Sequence, residues 1–474
     1  MTEVQKLTRI PFIQKAAFGS GHLVNNLFPG ALGVFSFFLL TTFGMDPFLA
    51  GLLGGIPRIY DAITDPIMGY ISDNTTSKWG RRRPYIFIGA IISGLLFAAL
   101  WQLYAENSET YNFWYFMMFS LLFLTGNTIY STPLIGLGYE MTSDYNERTR
   151  LMGFSQTISQ LAWMIVPWLW VIIADPNIYP NQAVAIRSLA IWVGISCLVL
   201  GVMPAMFCRE IQQESITNRD TITLKNLIQN MKGLWKNMKL ISKNVPFVKL
   251  CMATFLVFNG FQMVASFSFF IIVYYLFNGS FEQAGNWPAW FSTISALATA
   301  FLIIPIITWM SNTWGKRTAF IMSTGISIIG YLMKWWGFNP DNLWLMFLPI
   351  PLLSFGLGGL FTLMMSMTAD VCDLDELQNG MPRKEGTFGA IYWWMVKLGQ
   401  GLALVLGGLV LKLIGFEAGA AMQTAETITQ LRLADIIIPS LTAFLAIIVM
   451  WNYDLNEEKA HEIKAELVKR RGEL

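Results

Sequence analysis

Arg58-Ile59-Tyr60-Asp61-Ala62-Ile63-Thr64-Asp65-Pro66 lies inside an apolar run of membrane-spanning length, about 48–73. Helical spacing puts Asp61 and Asp65 on one face, with Arg58 a turn earlier. A charged residue at mid-bilayer costs roughly 2.5–3.5 kcal/mol on insertion scales, so two anions one turn apart need compensation. Three arrangements supply it. A cation can be held by carboxylate, hydroxyl and carbonyl oxygens, with Thr64 on the same helix and Thr128 from another span adding neutral ligands. A proton can be shared between the carboxylates, because like charges this close push one pKa up. Arg58 can also form a buried ion pair that ties helices together.

Outward from this stretch, apolar runs recur along the whole chain. Of the 474 residues, 54% are hydrophobic and only 13% are charged, about half the charge of a soluble domain. The runs predict helices at about 15–43, 48–73, 84–105, 112–140, 149–174 and 184–208, and again at 247–278, 284–310, 317–338, 342–369, 386–415 and 431–453. This is an all-α integral membrane pattern of twelve transmembrane helices. It divides into an amino-terminal six-helix bundle (1–208), a polar, lysine-rich cytoplasmic connector (209–246), a second six-helix bundle (247–453) and a cytoplasmic tail (454–474). Loops after even-numbered spans hold Lys78-Trp79-Gly80-Arg81-Arg82-Arg83, Arg148 with Arg150, Lys316-Arg317 and Arg383-Lys384, whereas Arg187 and Arg432 are the clear basic residues of the other loops. That asymmetry puts both termini in the cytoplasm. Trp79-Gly80-Arg81-Arg82 and Trp314-Gly315-Lys316-Arg317 recur about half a chain apart, as a duplicated six-helix unit would give, with a central site expected between the halves. The polar amino terminus has no separate apolar h-region, so the first span is expected to direct insertion.

Several classes are excluded. A net charge of +2 gives no basic field for nucleic acid. Four scattered cysteines and two distant histidines offer neither a disulfide framework nor a metal site. No GxxxxGK[ST] is present, so an ion gradient rather than ATP is the expected driving force. An aspartyl-protease reading of Tyr60-Asp61 lacks its second GxGD element, since Gly136-Leu137-Gly138 is followed by Tyr139. No enzyme activity and no cofactor are expected.

Other polar residues stand in the spans. Lys397 lies about a dozen residues past Arg383-Lys384, too deep for easy snorkelling; it can neutralise the aspartate pair, donate to solute oxygens or stand in an aqueous vestibule. His22, Asn25 and Asn26 bring donors and acceptors into span one, suited to a polyhydroxylated solute or to interhelical bonding. Asp73 and Arg81, Asp144 and Arg148, and Asp370, Asp373 and Asp375 ahead of Arg383 form opposite charges at span ends, either a gate that pairs on closure or solvated surface.

RIYDAITDPIMGYISD (58–73) followed by WGRRRPYI resembles the second span and loop of the glycoside–pentoside–hexuronide:cation symporters of the major facilitator superfamily, the family of the melibiose permease. TIYSTPLIGLGYEMTSDYNERTR and MTADVCDLDELQNGMPRKEGTFGAIYWWMVKLG fit the same family in span order. The resemblance implies the major facilitator fold, alternating access, and uptake of a sugar, glycoside or sugar-acid driven by Na+ or H+ across the cell's inner (plasma) membrane. Carried over by position, Asp61 and Asp65 fall on the cation-site aspartates with Thr128 as a further ligand, and Lys397 falls on the lysine linking cation and sugar sites. Thr64 stands where the permease has a Na+-favouring Asn, which leaves the cation open. On the sugar side Asn25-Asn26 replace a Lys-Asp pair, Ser131 an Asp, Ile135 a Trp and Gln156 an Arg, implying a different solute, with Phe361 and Trp393 as aromatic walls. Two other readings stay open: cation-coupled uptake of a lysolipid or other amphiphile, and a transport-dead membrane sensor.

Overall fold

The computed structural model describes residues 9–75, 77–142, 145–210, 223, 225–229, 231–233, 243–379, 385–455 and 457–471. They are helical with no strand among them, and they divide into two compact units, Met1–Met231 and Lys232–Leu474.

The first unit contains α1 (Phe12–Thr41), α2 (Pro47–Asn74), α3 (Arg83–Leu100), α4 (Glu109–Glu140), α5 (Tyr145–Ile165), α6 (Trp168–Ala174) and α7 (Gln182–Phe207). Local chemistry sets the ends. Asp46 accepts the N–H groups of Phe48 and Leu49 at 2.9 and 3.2 Å, with Pro47 at the first helical position, where its missing N–H costs nothing. Ser108 and Asn181 cap α4 and α7 in the same way. The fifth predicted span is broken at Val166–Pro167, because a proline ring cannot continue the hydrogen-bond ladder. α3 packs on α4 and α7, α1 on α5 and α7, and α2 on α4. Tilted and edge-to-face aromatics fill the centre, with Phe28 5.1 Å from both Phe97 and Phe123, and Phe35 5.2 Å from Trp101. Gly94 and Gly194 let α3 and α7 touch backbone to backbone: a Cβ on either would sit 2.6 or 2.4 Å from the other's carbonyl oxygen.

The second unit runs through α8 (Val245–Phe270), which continues into a π-helical turn (Ile271–Leu276), the short α9 (Phe281–Ala284), α10 (Trp287–Leu297), a second π-helical turn (Ala298–Ile303), α11 (Ile304–Trp314), α12 (Lys316–Gly337), a 3-10 turn (Leu343–Phe347), α13 (Ile350–Asn379), α14 (Glu385–Leu413), α15 (Ala425–Trp451) and α16 (Glu457–Arg471). Pro305, at the second position of α11, has no N–H to offer the preceding turn, and the π-helical turn lies directly before it. α8 packs on α13, α14 and α15, and α12 on α13 and α15. The segment read as a tail is a helix that docks on the same core: Ile463 and Leu467 of α16 are buried with Met367 and Val371 of α13. α13 extends ten residues beyond the expected end at 369, since nothing in Asp370–Asn379 breaks a helix. Asp370, Asp373 and Asp375 therefore stand on a helix, buried, rather than in a loop.

Among the described residues nine helical stretches are long and apolar enough to cross a membrane. α2, α4 and α12 are not among them; in α2, Arg58, Asp61 and Asp65 themselves dilute the apolar character.

Both units share a way of fastening two antiparallel helices. Arg83, at the start of α3, donates from Nε to the Ala205 carbonyl at 2.7 Å and from Nη2 to Met206 O at 3.3 Å, at the carboxyl end of α7. Arg187, near the start of α7, returns the contact with Nη1 on Leu103 O at 3.0 Å, just past α3, its guanidinium 4.2 Å from the Tyr104 ring. In the second unit Arg317 of α12 donates to Trp451 O of α15. Arg432 of α15 donates to Trp335 O of α12 at 2.6 Å, its guanidinium lying 4.0 Å from the Tyr275 ring and 4.3 Å from that of Trp335. Each cation meets the partially negative end of a helix and uses carbonyls with no intrahelical partner. The glycines of the two Trp-Gly-basic loops match as well, Gly80 at φ +101° and Gly315 at φ +78°, where a side chain would be strained.

Candidate functional site

α2 and α4 carry interlocking polar faces. Asp61 is 4% exposed and accepts the Thr128 hydroxyl on Oδ1 at 3.0 Å. Thr64 Oγ1 lies 3.2 Å from Thr128 Oγ1 and donates to the Asp61 carbonyl at 3.2 Å. Asp61, Thr64 and Thr128 thus converge as one set of hard oxygens. Asp65 is engaged one turn further on, where Thr132 donates to its Oδ1 at 3.3 Å, and Tyr60 OH meets Thr125 Oγ1 at 2.8 Å on the other side. The threonines at 125, 128 and 132 share a face of α4, so each turn of α2 meets one hydroxyl. Thr125 and Thr132 are absent from the sequence reading, although their 3- and 4-residue spacing around Thr128 was available to it. Carboxylate, hydroxyl and carbonyl oxygens are the donors a hard monovalent cation takes, and hydroxyls also stabilise an ionised aspartate.

On α1, Asn25 and Asn26 are both partly buried. Asn26 Nδ2 donates to His22 O at 3.1 Å, and its Oδ1 accepts Trp163 Nε1 of α5 at 3.2 Å. Ser131 is partly buried on α4, and Gln156 is exposed on α5. The remaining residues on the solute side belong to the second unit: Phe361 of α13 and Trp393 of α14 stack with centroids 6.2 Å apart, and Lys397 is partly buried on α14.

Among the described residues, several of the charges proposed as a gate have definite partners. Arg82 Nη2 donates to Asp73 Oδ1 at 2.6 Å, and Arg81 Nη1 donates to Asp73 O at 3.3 Å. Glu210, a residue the sequence reading passed over, accepts the backbone N–H groups of Arg81, Arg82 and Arg83 at 2.7, 2.8 and 3.3 Å, a carboxylate at a helix amino terminus. In the second unit Lys316 Nζ lies 2.5 Å from Asp370 Oδ2, and Asn379 donates to Asp375 Oδ1 at 2.8 Å, while Asp373 is buried nearby on α13. Asp144, the Arg148 side chain and Arg383 lie outside the described residues. Next to Arg148 the described charge is Glu147, which accepts the Ile10 N–H at 3.1 Å and pairs with Lys15 at 2.6 Å and Arg150 at 3.6 Å. Burial alone would raise its pKa; the Lys15 and Ile10 hydrogen bonds and the Lys15 and Arg150 charges outweigh that and hold the carboxyl below the usual carboxylate range.

A family model described as MFS/sugar transport protein matches residues 17–457. The chain belongs to this family. Among similar proteins, the glucuronide carrier protein homolog of Escherichia coli (strain K12) is 24% identical over 95% of this chain and 94% of that protein. The isoprimeverose transporter of Lactiplantibacillus pentosus is 22% identical, covering 94% of this chain and 90% of that one. The sodium-dependent lysophosphatidylcholine symporter 1 of Xenopus tropicalis is 23% identical, covering 97% and 90%. The crystal structure of a bacterial homologue of the human lysosomal transporter Spinster superposes with a TM-score of 0.66 at 13% identity, covering 94% of this chain and 97% of that one. At that identity the likeness shows the fold alone. Family and fold together make the chain a multi-pass membrane protein of a transporter family.

Proposed function

We propose that this member of the MFS/sugar transport family is a twelve-span secondary symporter of the plasma membrane, with both termini cytoplasmic, that couples inward Na+ or H+ movement to uptake of a sugar, glycoside or sugar-acid by alternating access. One observation carries the coupling: Asp61, buried at 4% exposure, with Thr128 and Thr64 converging on it and Asp65 beside it on Thr132. Such a carboxylate is costly in a membrane unless an ion or proton repays it during the cycle. Likeness to carriers named for a glucuronide and for isoprimeverose supports the carbohydrate class.

The test is uptake of labelled neutral and anionic mono- and oligosaccharides into proteoliposomes under an inward Na+ or H+ gradient. Gradient-dependent accumulation of one of them is expected. Folded protein that accumulates none would sink the carbohydrate assignment. A second reading, uptake of a lysolipid with Na+, draws on the equally extensive likeness to the lysophosphatidylcholine symporter; lysophosphatidylcholine therefore belongs in the same panel.

A further inference from the structure

Asn26 stands where the sequence suggested a direct solute contact, yet its amide is committed within the unit. Its Nδ2 donates to the His22 carbonyl one turn back and its Oδ1 accepts the indole N–H of Trp163. What it holds is a large aromatic ring. Trp163 is 43% exposed, and on α5 it shares one face with Gln160 and Gln156, three and seven residues earlier, both of them exposed.

An exposed tryptophan in a membrane protein is often an interfacial anchor, its N–H directed at headgroups. Here the N–H points inward to Asn26, and the stripe it continues carries two carboxamides, which lipid chains solvate poorly. This face of α5 is therefore one that meets water or solute. A fixed indole beside carboxamide donors and acceptors is complementary to a pyranose, which offers a C–H face to an aromatic ring and hydroxyls at its rim.

We propose that Trp163 is the stacking platform for the sugar ring, and that Asn26 is a positioning residue that acts through it. The inference rests on the carbohydrate reading of the function. It moves substrate recognition from Asn26 to a side chain not among the candidates of the sequence.

The experiment measures KM and kcat for uptake into proteoliposomes containing the full chain, using whichever of labelled methyl glucoside, methyl galactoside, methyl xyloside, sucrose or methyl glucuronide the wild type accumulates. Trp163→Leu is expected to raise KM about tenfold, the equivalent of roughly 1.4 kcal/mol, with the cation concentration for half-maximal uptake unchanged. Trp163→Phe, which keeps a ring, should stay within about threefold of wild type, a change of under 1 kcal/mol. Asn26→Ala should raise KM in the wild-type background and add nothing in the Trp163→Phe background, where there is no indole N–H to hold. A wild-type KM in Trp163→Leu, or an undiminished effect of Asn26→Ala on top of Trp163→Phe, would overturn the proposal. Wild-type protein that carries none of the five probes would instead overturn the carbohydrate reading, and it would do so before any variant is made.

Discussion

Thr132 gives Asp65 a hydrogen bond as Thr128 gives one to Asp61, so the two carboxylates are served by separate hydroxyls on successive turns of α4. A hydrogen bond to a charged group is worth about 1.5–3 kcal/mol. Thr132→Ala is thus expected to raise the cation concentration for half-maximal uptake by about tenfold or more, with Thr132→Ser near wild type. Asp61→Asn and Asp65→Asn should each abolish cation-driven accumulation while the protein still inserts; normal accumulation in both variants would remove the pair from the coupling mechanism. Glu147 makes a separate prediction outside the spans. Its folded-state pKa is depressed, so its contribution is complete above the ordinary glutamate value and is lost as pH falls through the depressed one. Thermal unfolding followed from pH 7 into the acid range should show that loss in the wild type, and Glu147→Gln should lack this component and begin from a lower Tm. The sequence displayed Asp61 and Asp65 plainly, because charge in an apolar run is conspicuous, and the family resemblance added Thr128. Thr132 and Trp163 were concealed by their ordinariness, since threonine and tryptophan are common in spans and only their partners on other helices distinguish them.

At the level of helices, α8, α12 and α15 meet around a buried ion pair, where the first unit has an aromatic centre. Lys334 Nζ pairs with Asp435 Oδ2 and donates to Ser268 Oγ at 3.0 Å, both charged side chains being 1% exposed. The remaining Asp435 oxygen, Oδ1, is buried with no hydrogen-bond partner. Removing one member of a buried pair leaves a bare charge and typically costs about 3–5 kcal/mol, whereas replacing both with apolar residues is often neutral. Lys334→Met should therefore lower the thermal midpoint markedly, and Lys334→Met with Asp435→Leu should recover most of the loss. A single variant as stable as wild type would mean that the pair is not charged in the fold. Both residues interrupt long apolar runs, so each is visible singly in the sequence, but only the fold shows that a pair is divided between two helices. Hydropathy located the helices well because burial in lipid demands length and apolarity. It was silent on the π-helical turns and on the extension of α13, which depend on backbone register and on the lack of a breaker.

For the molecule as a whole, family membership and the helical fold were legible from composition, recurrent apolar runs and the motif around Asp61, and the family model covers the chain from 17 to 457. The solute was less legible, because recognition lies in pairings such as Asn26 with Trp163 that no linear motif encodes. Lys397 belongs to the second unit, and the part in coupling proposed for it is open to a direct test. Lys397→Ala should permit solute exchange at equal concentrations while abolishing accumulation against a gradient, or should block both. Accumulation equal to that of the wild type would reduce Lys397 to a bystander.

The arginines that fasten α3 to α7 and α12 to α15 carry a mechanical consequence. A helix advances 1.5 Å per residue, so sliding either partner by a single residue would pull arginine from carbonyl at both ends at once. Each pair is locked in register like a plank nailed at its two ends. Tilting or being carried as a pair leaves both contacts in place, whereas shear along its length strains both ends at once.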